Sequence, residues 1–410
     1  MTSDPRDVLE DLKFVQTADV YKSGLHAGRL RRHEGGVEFS YLPDYRESGG
    51  PSVATTLPVD GLLWWRGNGA VPAFFAGLLP EGRRLTALRR SVKTSADDEL
   101  TLLLAVGEDA VGDVQVVPEG ATPGEVAPRI AVTSFDQVEF ADLFVQETGQ
   151  SVDRVGIPGV QDKVSAAMIT LPVRDRSSSY ILKLDPPEFR HLVANEDFFL
   201  RAARACGLAV VEASVVHDRS SSSGLLVRRF DRERGQLRER RAFEDGCQVL
   251  DLPPASKYAL SSEIVLTALT RVARSPLVLG RAFLQQIVFG YLTCNGDLHA
   301  RNLGILFSES GEWTAAPAFD LPSSYPYGDT SVAMSVYGKR REDIGRADVL
   351  ALAAGIGIPG RATERVIDDI LDRSDSWIDT LDELPFDQAV LRRLVRAIGY
   401  RRRRLGARGT

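Results

Sequence analysis

At 410 residues the chain is long enough for two or three domains, and its 43% hydrophobic content supports a large buried core. A charged fraction of 26% without low-complexity tracts excludes a disordered chain, and a net charge of −6 argues against holding nucleic acid by bulk charge. No apolar stretch nears the length of a membrane span and MTSDPRDVLEDLKF has no basic-then-apolar pattern, so neither a membrane helix nor a signal peptide is expected.

Residues 14–42 predict short alternating strands at 14–21, 25–30 and 37–42, with Gly35-Gly36 as a hairpin turn. The stretch 43–70, carrying Pro43, Gly49, Gly50, Pro51 and Pro58, predicts loop. Helical periodicity begins near Val71, covers Phe74, Phe75, Leu78 and Leu79, and resumes from Leu85 to Val92. Ser95-Ala-Asp-Asp98 reads as an N-cap for a helix from Leu100 to Val106 that Gly107 ends. Val114–Val117 predicts a strand, and the Pro-, Gly- and Glu-rich run from Pro118 to Pro128 a boundary. Strands follow at Val164–Leu171 and Ser179–Leu184, then a helix at Asn195–Cys206 ended by Gly207, then strands at Val210–His217 and Leu225–Phe230. From about Glu244 the signals are almost wholly helical: Ser261–Ala273, Leu277–Cys294, Arg346–Ala354, Ala362–Leu381 and Asp387–Leu405. This order predicts an α+β protein with a small sheet lobe and a large helical lobe. The expected divisions are 1–118, 119–250 and 251–410.

The three cysteines, Cys206, Cys247 and Cys294, are odd in number and far apart, which suits a reducing cytosol and makes no metal motif. The five histidines show no zinc spacing either. Lysine supplies only 7 of the 50 basic residues, so a lysine that persists can mark a place that needs a compact charge. The arginines from Arg392 to Arg408 fit either a solvated helix end or a weak anion or nucleic-acid contact.

Four constellations carry chemistry. Gly156-Ile-Pro-Gly159-Val-Gln-Asp-Lys163 precedes a strand; its glycines could bring backbone N–H groups to a phosphate, or form an ordinary turn. It is not a P-loop, because no GK[ST] follows. Lys183 sits inside the apolar strand Tyr180-Ile-Leu-Lys-Leu184, where it is costly to bury unless paired, and Glu196 opens the next helix. A strand lysine paired with a helix glutamate grips nucleotide phosphates in protein kinases; an edge strand with Lys183 facing water is the alternative. In Asn295-Gly-Asp-Leu-His-Ala-Arg-Asn302, Asp297 and Asn302 have the spacing of a proton-accepting aspartate and a metal-holding asparagine on one tight loop. Finally Trp313–Asp320 reads as a strand that ends in a second carboxylate suited to magnesium, although Asp320 is followed by Leu321-Pro322 and not by glycine.

Taken together, these motifs make the sequence resemble the HipA family of serine/threonine kinases, toxins of bacterial type II toxin–antitoxin pairs. The resemblance spans nearly the whole chain through Phe74–Gly82, Gly107–Asp113, Gly159–Lys163, Ile181–Lys183, Asn195-Glu196, Arg229–Arg232, Glu244–Gln248, Lys257-Tyr258, Gly296–Asn302 and Phe319-Asp320. It implies a two-lobed protein-kinase-like fold with a β-rich N-terminal subdomain, a small mixed lobe and a large helical C-terminal lobe. It implies Asp297 as catalytic base, Asn302 and Asp320 as Mg²⁺ ligands, and Lys183 on the phosphates of ATP. The nucleotide loop would be Pro158, Gly159, Val160, Gln161, Asp162 and Lys163. Arg228, Arg229 and Phe230 would lie at the hinge near the adenine, and His299, Ala300, Arg301, Asn302 and Phe319 would complete the nucleotide contacts. Family members phosphorylate a protein serine, with glutamyl-tRNA synthetase as the known kind of target, and bind a small HipB-like helix-turn-helix antitoxin and, through it, DNA.

The chain departs from the family pattern at Gly156, where members often carry an autophosphorylated serine; Ser151 and Ser165 lie outside that window, so autoinhibition by this route is not expected. No DNA-contact residue is carried over to the helical region after Arg346, and no fused antitoxin is expected before residue 13 or after residue 405. Two alternatives stay open. Small-molecule kinases of the aminoglycoside and choline type have a similar loop, usually with His where Asn295 stands. A catalytically silent kinase fold would serve as a binding subunit, although no catalytic part is visibly broken.

Overall fold

A computed structural model describes residues 11–61, 63–67, 69–124, 134–143, 168–174, 178–233 and 236–407. The N-terminal unit is a five-stranded antiparallel sheet. Strands β1 (Thr17–Lys22), β2 (Leu25–His33) and β3 (Gly36–Tyr41) form a meander. Gly35, with φ +85°, makes the turn before β3. After the short helix α1 (Pro43–Glu47), strand β4 (Trp64–Gly67) joins the edge beside β3. Helices α2 (Ala73–Ala76), α3 (Gly82–Val92) and α4 (Glu99–Val106) follow, and β5 (Val114–Pro118) returns to β1, giving the order β4-β3-β2-β1-β5. Asp98 caps α4 by accepting from Thr101 N–H. Phe39, Phe75, Leu30 and Leu103 fill this unit's own core.

The stretch 43–70 thus holds a helix and an edge strand where loop is expected; Pro43 starts the helix at its first turn, where a proline costs no hydrogen bond.

A four-stranded antiparallel sheet forms the small lobe, from β6 (Ile169–Arg174), β7 (Ser179–Leu184), β8 (Ala213–His217) and β9 (Ser223–Arg228) in the order β6-β7-β9-β8. Alternation buries Ile169, Leu171, Val173, Leu182 and Leu184 and sends Lys183 to the other face. Helix α5 (Leu192–Ala205) crosses between β7 and β8, so Glu196 lies in its second turn instead of opening it. A small hairpin, β10 (Arg232–Glu233) and β11 (Gln236–Arg240), extends from the lobe.

The large lobe is helical around a three-stranded sheet of β12 (Phe243–Asp245), β13 (Gly304–Phe307) and β14 (Trp313–Ala315). Its helices are α6 (Gly246–Val249), α7 (Ser262–Arg271), α8 (Pro276–Leu292), α9 (Arg346–Gly355), α10 (Gly360–Ile378) and α11 (Gln388–Gly406). Buried on nearly all sides, α8 is the centre of the lobe, whereas α10 buries one stripe: Val366, Ile367, Ile370, Leu371, Ser374 and Trp377. Trp377 joins the lobes, its ring 6.0 Å from Phe199 of α5 and 6.2 Å from Phe289 of α8. The cysteines Cys206, Cys247 and Cys294 are free and buried. Among the described residues no helix is long and apolar enough to cross a membrane.

Candidate active site

The loop after α8 is bent by its own side chains. Cys294 takes a left-handed φ of +57°, and Asn295 N–H turns back to Gly290 O at 2.9 Å. Asn295 Oδ1 then accepts the Asp297 N–H at 2.9 Å. A side chain at Gly296 would place its Cβ 2.6 Å from Ser324 Oγ and from Asp329 Oδ2, so a larger residue would have to push those two side chains aside. Asn302 Nδ2 donates to Asp297 O at 2.9 Å, and His299 N–H donates to the same oxygen at 2.8 Å. These bonds fold Asp297 and Asn302 onto one turn. Asp297 is buried, and Tyr258 OH donates to its Oδ1 at 2.6 Å.

Lys183 meets this turn from above. Its Nζ donates to Glu196 Oε1 at 2.7 Å and to Asp320 Oδ1 at 2.8 Å. Asp320 Oδ2 also accepts from Asn302 Nδ2 at 3.4 Å. The strand expected to reach Asp320 stops at Ala315; Asp320 itself lies in a turn with φ +59°, a left-handed conformation that aspartate tolerates. Asn195 pins that turn, donating to Ser323 O at 2.8 Å and accepting Ser323 N–H at 2.9 Å. So Asn195 fixes the acid and its neighbour Glu196 fixes the lysine. Burial disfavours the charged form of Lys183, but Asp320 and Glu196 outweigh it and hold the ammonium well above its usual range. Burial works against Asp320 as well, and Lys183 keeps its carboxyl below the ordinary range; burial pushes Glu196 up despite Lys183.

A second layer of charge backs the loop. Arg301 donates from Nε to Asp245 Oδ2 at 2.8 Å, from one terminal nitrogen to Gly77 O at 2.6 Å, and from the other to Glu81 Oε1. Lys257 Nζ donates to Glu81 Oε2 at 2.7 Å. Burial disfavours Glu81 ionisation, yet Arg301 and Lys257 hold its carboxyl down to about 2. Burial, reinforced by Lys257, pushes His299 down to about 3, so its imidazole is neutral; it packs edge-on against Tyr258 at 5.1 Å. His299 Nδ1 is buried with no hydrogen-bond partner among the described residues.

The oxygens of Asp320 and Asn302 suit a small hard cation. Among the described residues no three His, Cys, Asp or Glu side chains cluster to hold a metal alone. A cation here would share its shell with phosphate oxygens and water, as Mg²⁺ commonly does.

The family model for a HipA-like C-terminal domain matches residues 155–378, more than half of the chain, and that for a HipA N-terminal domain matches residues 18–117. The chain belongs to the HipA family. It is 29% identical over 89% of its length to Y4mE, a presumed kinase of Sinorhizobium fredii, covering 94% of that protein. It is 28% identical over 78% of its length to the serine/threonine-protein kinase toxin HipA of Shewanella oneidensis, covering 78% of it. The solved structure of Shewanella oneidensis HipA with HipB and operator DNA superposes with a TM-score of 0.75 at 23% identity, covering 95% of this chain and 97% of that one. The fold is therefore the two-lobed kinase-like α+β fold of HipA, and the chain is a kinase of this family.

Of the residues that the resemblance assigns, Lys183, Asp297, His299, Asn302 and Asp320 converge at one place. Phe230 and Phe319 also meet, stacked at 5.6 Å. Ala300 is buried beside Gly246. Three arginine side chains are held by groups of the protein. Arg229, expected near an adenine, is buried with its guanidinium bonded to Asp231 at 2.8 Å, to Asp109 at 3.0 Å and to Ala110 O at 3.0 Å. Arg301, expected on the nucleotide, is taken up by Asp245, Gly77 and Glu81. Arg228 pairs with Glu212 at 3.0 Å. Pro158, Gly159, Val160, Gln161, Asp162 and Lys163, with Gly156, lie outside the described residues. Glu81, Asn195, Asp245 and Tyr258 fall within the motifs that carry the resemblance, but nothing in the sequence assigns them a task.

Proposed function

We propose that the protein is an ATP- and Mg²⁺-dependent serine/threonine protein kinase of the HipA toxin type. The observation that carries this reading is Lys183 Nζ at 2.7 Å from Glu196 and 2.8 Å from Asp320, directly above the Asp297–Asn302 turn. A free lysine–glutamate pair would have no need of a second carboxylate. Here Asp320, which would share a cation with Asn302, is the group that Lys183 would exchange for phosphate oxygens. Asp297 would accept the proton of a serine hydroxyl while Tyr258 holds its other face. Lys183, kept in place by Glu196, would orient the phosphates. Asn302 and Asp320 would be the ligands of Mg²⁺, which when bound supplies charge neutralisation to the transferred phosphoryl group. The residues Pro158 to Lys163 would cover the nucleotide.

The finer assignments rest on family likeness. The substrate would be a serine of an aminoacyl-tRNA synthetase such as glutamyl-tRNA synthetase, so that translation is inhibited. The partner would be a HipB-like helix-turn-helix antitoxin, a reading supported by the Shewanella oneidensis complex, with DNA reached through it. The three buried free cysteines are consistent with action in the cytosol. With Gly156 in place of the usual serine, ATP-treated protein should carry no inactivating phosphate between residues 150 and 166, which phosphopeptide mapping reads directly.

The deciding experiment incubates the protein with labelled Mg-ATP and a bacterial lysate beside an Asp297→Ala control. A labelled protein band that weakens roughly 10²–10⁴-fold in the control supports the reading. ATP consumption without a protein band would turn it towards a small-molecule kinase, and no ATP binding towards a silent kinase fold.

A further inference from the structure

The N-terminal unit touches both lobes. On the small-lobe side Asp109, Ala110 and Gly112 are bonded to Arg229, Asp231 and Arg232, and Arg83 pairs with Glu188 at 2.6 Å. On the large-lobe side Thr55 is bonded to Glu244, and Phe74 O accepts from Gln248 Nε2 at 2.9 Å. One contact reaches the chemistry itself. Glu81, just before α3, gives one carboxylate oxygen to Lys257 and the other to Arg301. Each of those cations is the immediate neighbour of a site residue: Lys257 precedes Tyr258, which holds Asp297, and Arg301 precedes Asn302. Gly77 O, four residues earlier in the same segment, takes a further bond from Arg301.

We propose that Glu81 is a positioning residue for phosphoryl transfer. A carboxylate from the N-terminal unit ties the Tyr258 segment to the Arg301–Asn302 segment and so sets the distance between base and metal-holding asparagine. This inference rests on the kinase reading above. The physical reason is the charge count in a confined place. Glu81 and Asp245 face Lys257 and Arg301, two anions against two cations, with Lys257 and Arg301 largely buried at 11% and 13% side-chain exposure. Glutamine at position 81 can accept from one cation only; its NH₂ must then face the other, donor against donor. One segment is released, and a misplacement of about 1 Å in such a turn costs roughly a hundredfold in rate. The N-terminal unit is in this way part of the active site.

The test uses the full chain as wild type, Glu81→Gln, Glu81→Asp and Arg301→Lys. For each, kcat and KM for Mg-ATP are measured on the labelled lysate substrate, together with thermal midpoint and amide exchange of residues 256–258 and 297–302. The expected result for Glu81→Gln is a kcat lowered roughly 10- to 100-fold, a KM within about twofold of wild type, and faster exchange in both segments. Glu81→Asp, which keeps the charge, should regain part of kcat, and Arg301→Lys, which keeps the charge but loses the fork, should show the Glu81→Gln signature. Wild-type kcat in folded Glu81→Gln, or a loss that follows the thermal midpoint with exchange unchanged, overturns the inference. Should Glu81→Gln fail to fold, the Arg301→Lys and Glu81→Asp pair decides by the same two readouts. Wild-type protein without Asp297-dependent transfer would defeat the kinase reading instead, and unchanged exchange would still refute the role of Glu81 independently.

Discussion

The Tyr258 hydroxyl donates to Asp297 Oδ1 at 2.6 Å, a charge-assisted bond from a residue 39 positions earlier. Burial, reinforced by Asp297, raises the Tyr258 hydroxyl far above its ordinary range, so the phenol keeps its proton and remains a donor. Tyr258→Phe deletes that donor with little change of volume. A hydrogen bond to a charged group contributes about 1.5–3 kcal/mol, which corresponds to a roughly 10- to 100-fold loss of turnover if the bond orients the base. Single-turnover transfer from labelled ATP measures it. A faster Tyr258→Phe enzyme would mean that the phenol obstructs the substrate hydroxyl instead.

Lys183 stands between two acids, which makes its removal pH-dependent. In Lys183→Met, Glu196 and Asp320 remain buried without the shared cation, and both carboxyls rise. A carboxyl whose folded affinity for protons is raised loses stability as pH rises through that value. Lys183→Met should therefore be less stable than wild type by about 3–5 kcal/mol near pH 8 and by clearly less near pH 5, with transfer abolished at both. Urea unfolding at the two pH values checks the difference; an equal loss at both would show that neither acid is held by the lysine.

Much of this site is visible in the sequence, because its strongest signals are local. A lysine in an apolar strand is costly to bury unless paired, and the Asp297–Asn302 spacing suits a tight turn. The β1–β3 meander and the helices from α7 to α11 are likewise set by short-range periodicity and turns. Edge strand β4 and hairpin β10–β11 are too short to show a period. Glu81 is illegible for another reason: its partners Lys257 and Arg301 lie 176 and 220 positions away; Arg229 has Asp231 two positions on, but its other acid, Asp109, lies 120 positions earlier. An arginine beside a hinge strand looks the same whether it faces a ligand or an aspartate.

The Arg229 assignment can be decided directly. Asp231 is buried between Arg229 and Arg232, and although burial opposes its ionisation the two guanidinium groups hold its carboxyl far below the usual range. Arg229→Ala leaves a partly uncompensated buried acid and takes one of the two arginines from Asp109, which keeps Arg232 at 3.0 Å, a loss of about 3–5 kcal/mol. The thermal midpoint should fall while the folded protein keeps wild-type nucleotide affinity in a calorimetric titration. Weakened nucleotide binding at an unchanged midpoint would return Arg229 to the hinge role that the family likeness gives it.

Glu244 sets the last expectation. It is 1% exposed, and its two oxygens accept Thr55 N–H at 2.8 Å and Thr55 Oγ at 2.6 Å, joining the N-terminal unit to β12. Burial pushes its carboxyl from 4.5 up to about 7, against the pull of the Thr55 hydrogen bonds. In the unfolded chain the same group ionises near its ordinary value. Between those values the folded state binds more protons than the unfolded one, so stability falls as pH rises from about 4.5 through 7. The span corresponds to roughly 3 kcal/mol. Glu244→Gln is neutral throughout and removes the slope, although its NH₂ competes with one of the Thr55 donors. The variant should therefore be less stable than wild type at pH 5 and should gain on it steadily up to pH 8, as read from denaturant midpoints at four pH values. A difference that stays constant across that range would mean that Glu244 is ionised in the fold at every pH tested, with Thr55 alone able to hold its charge.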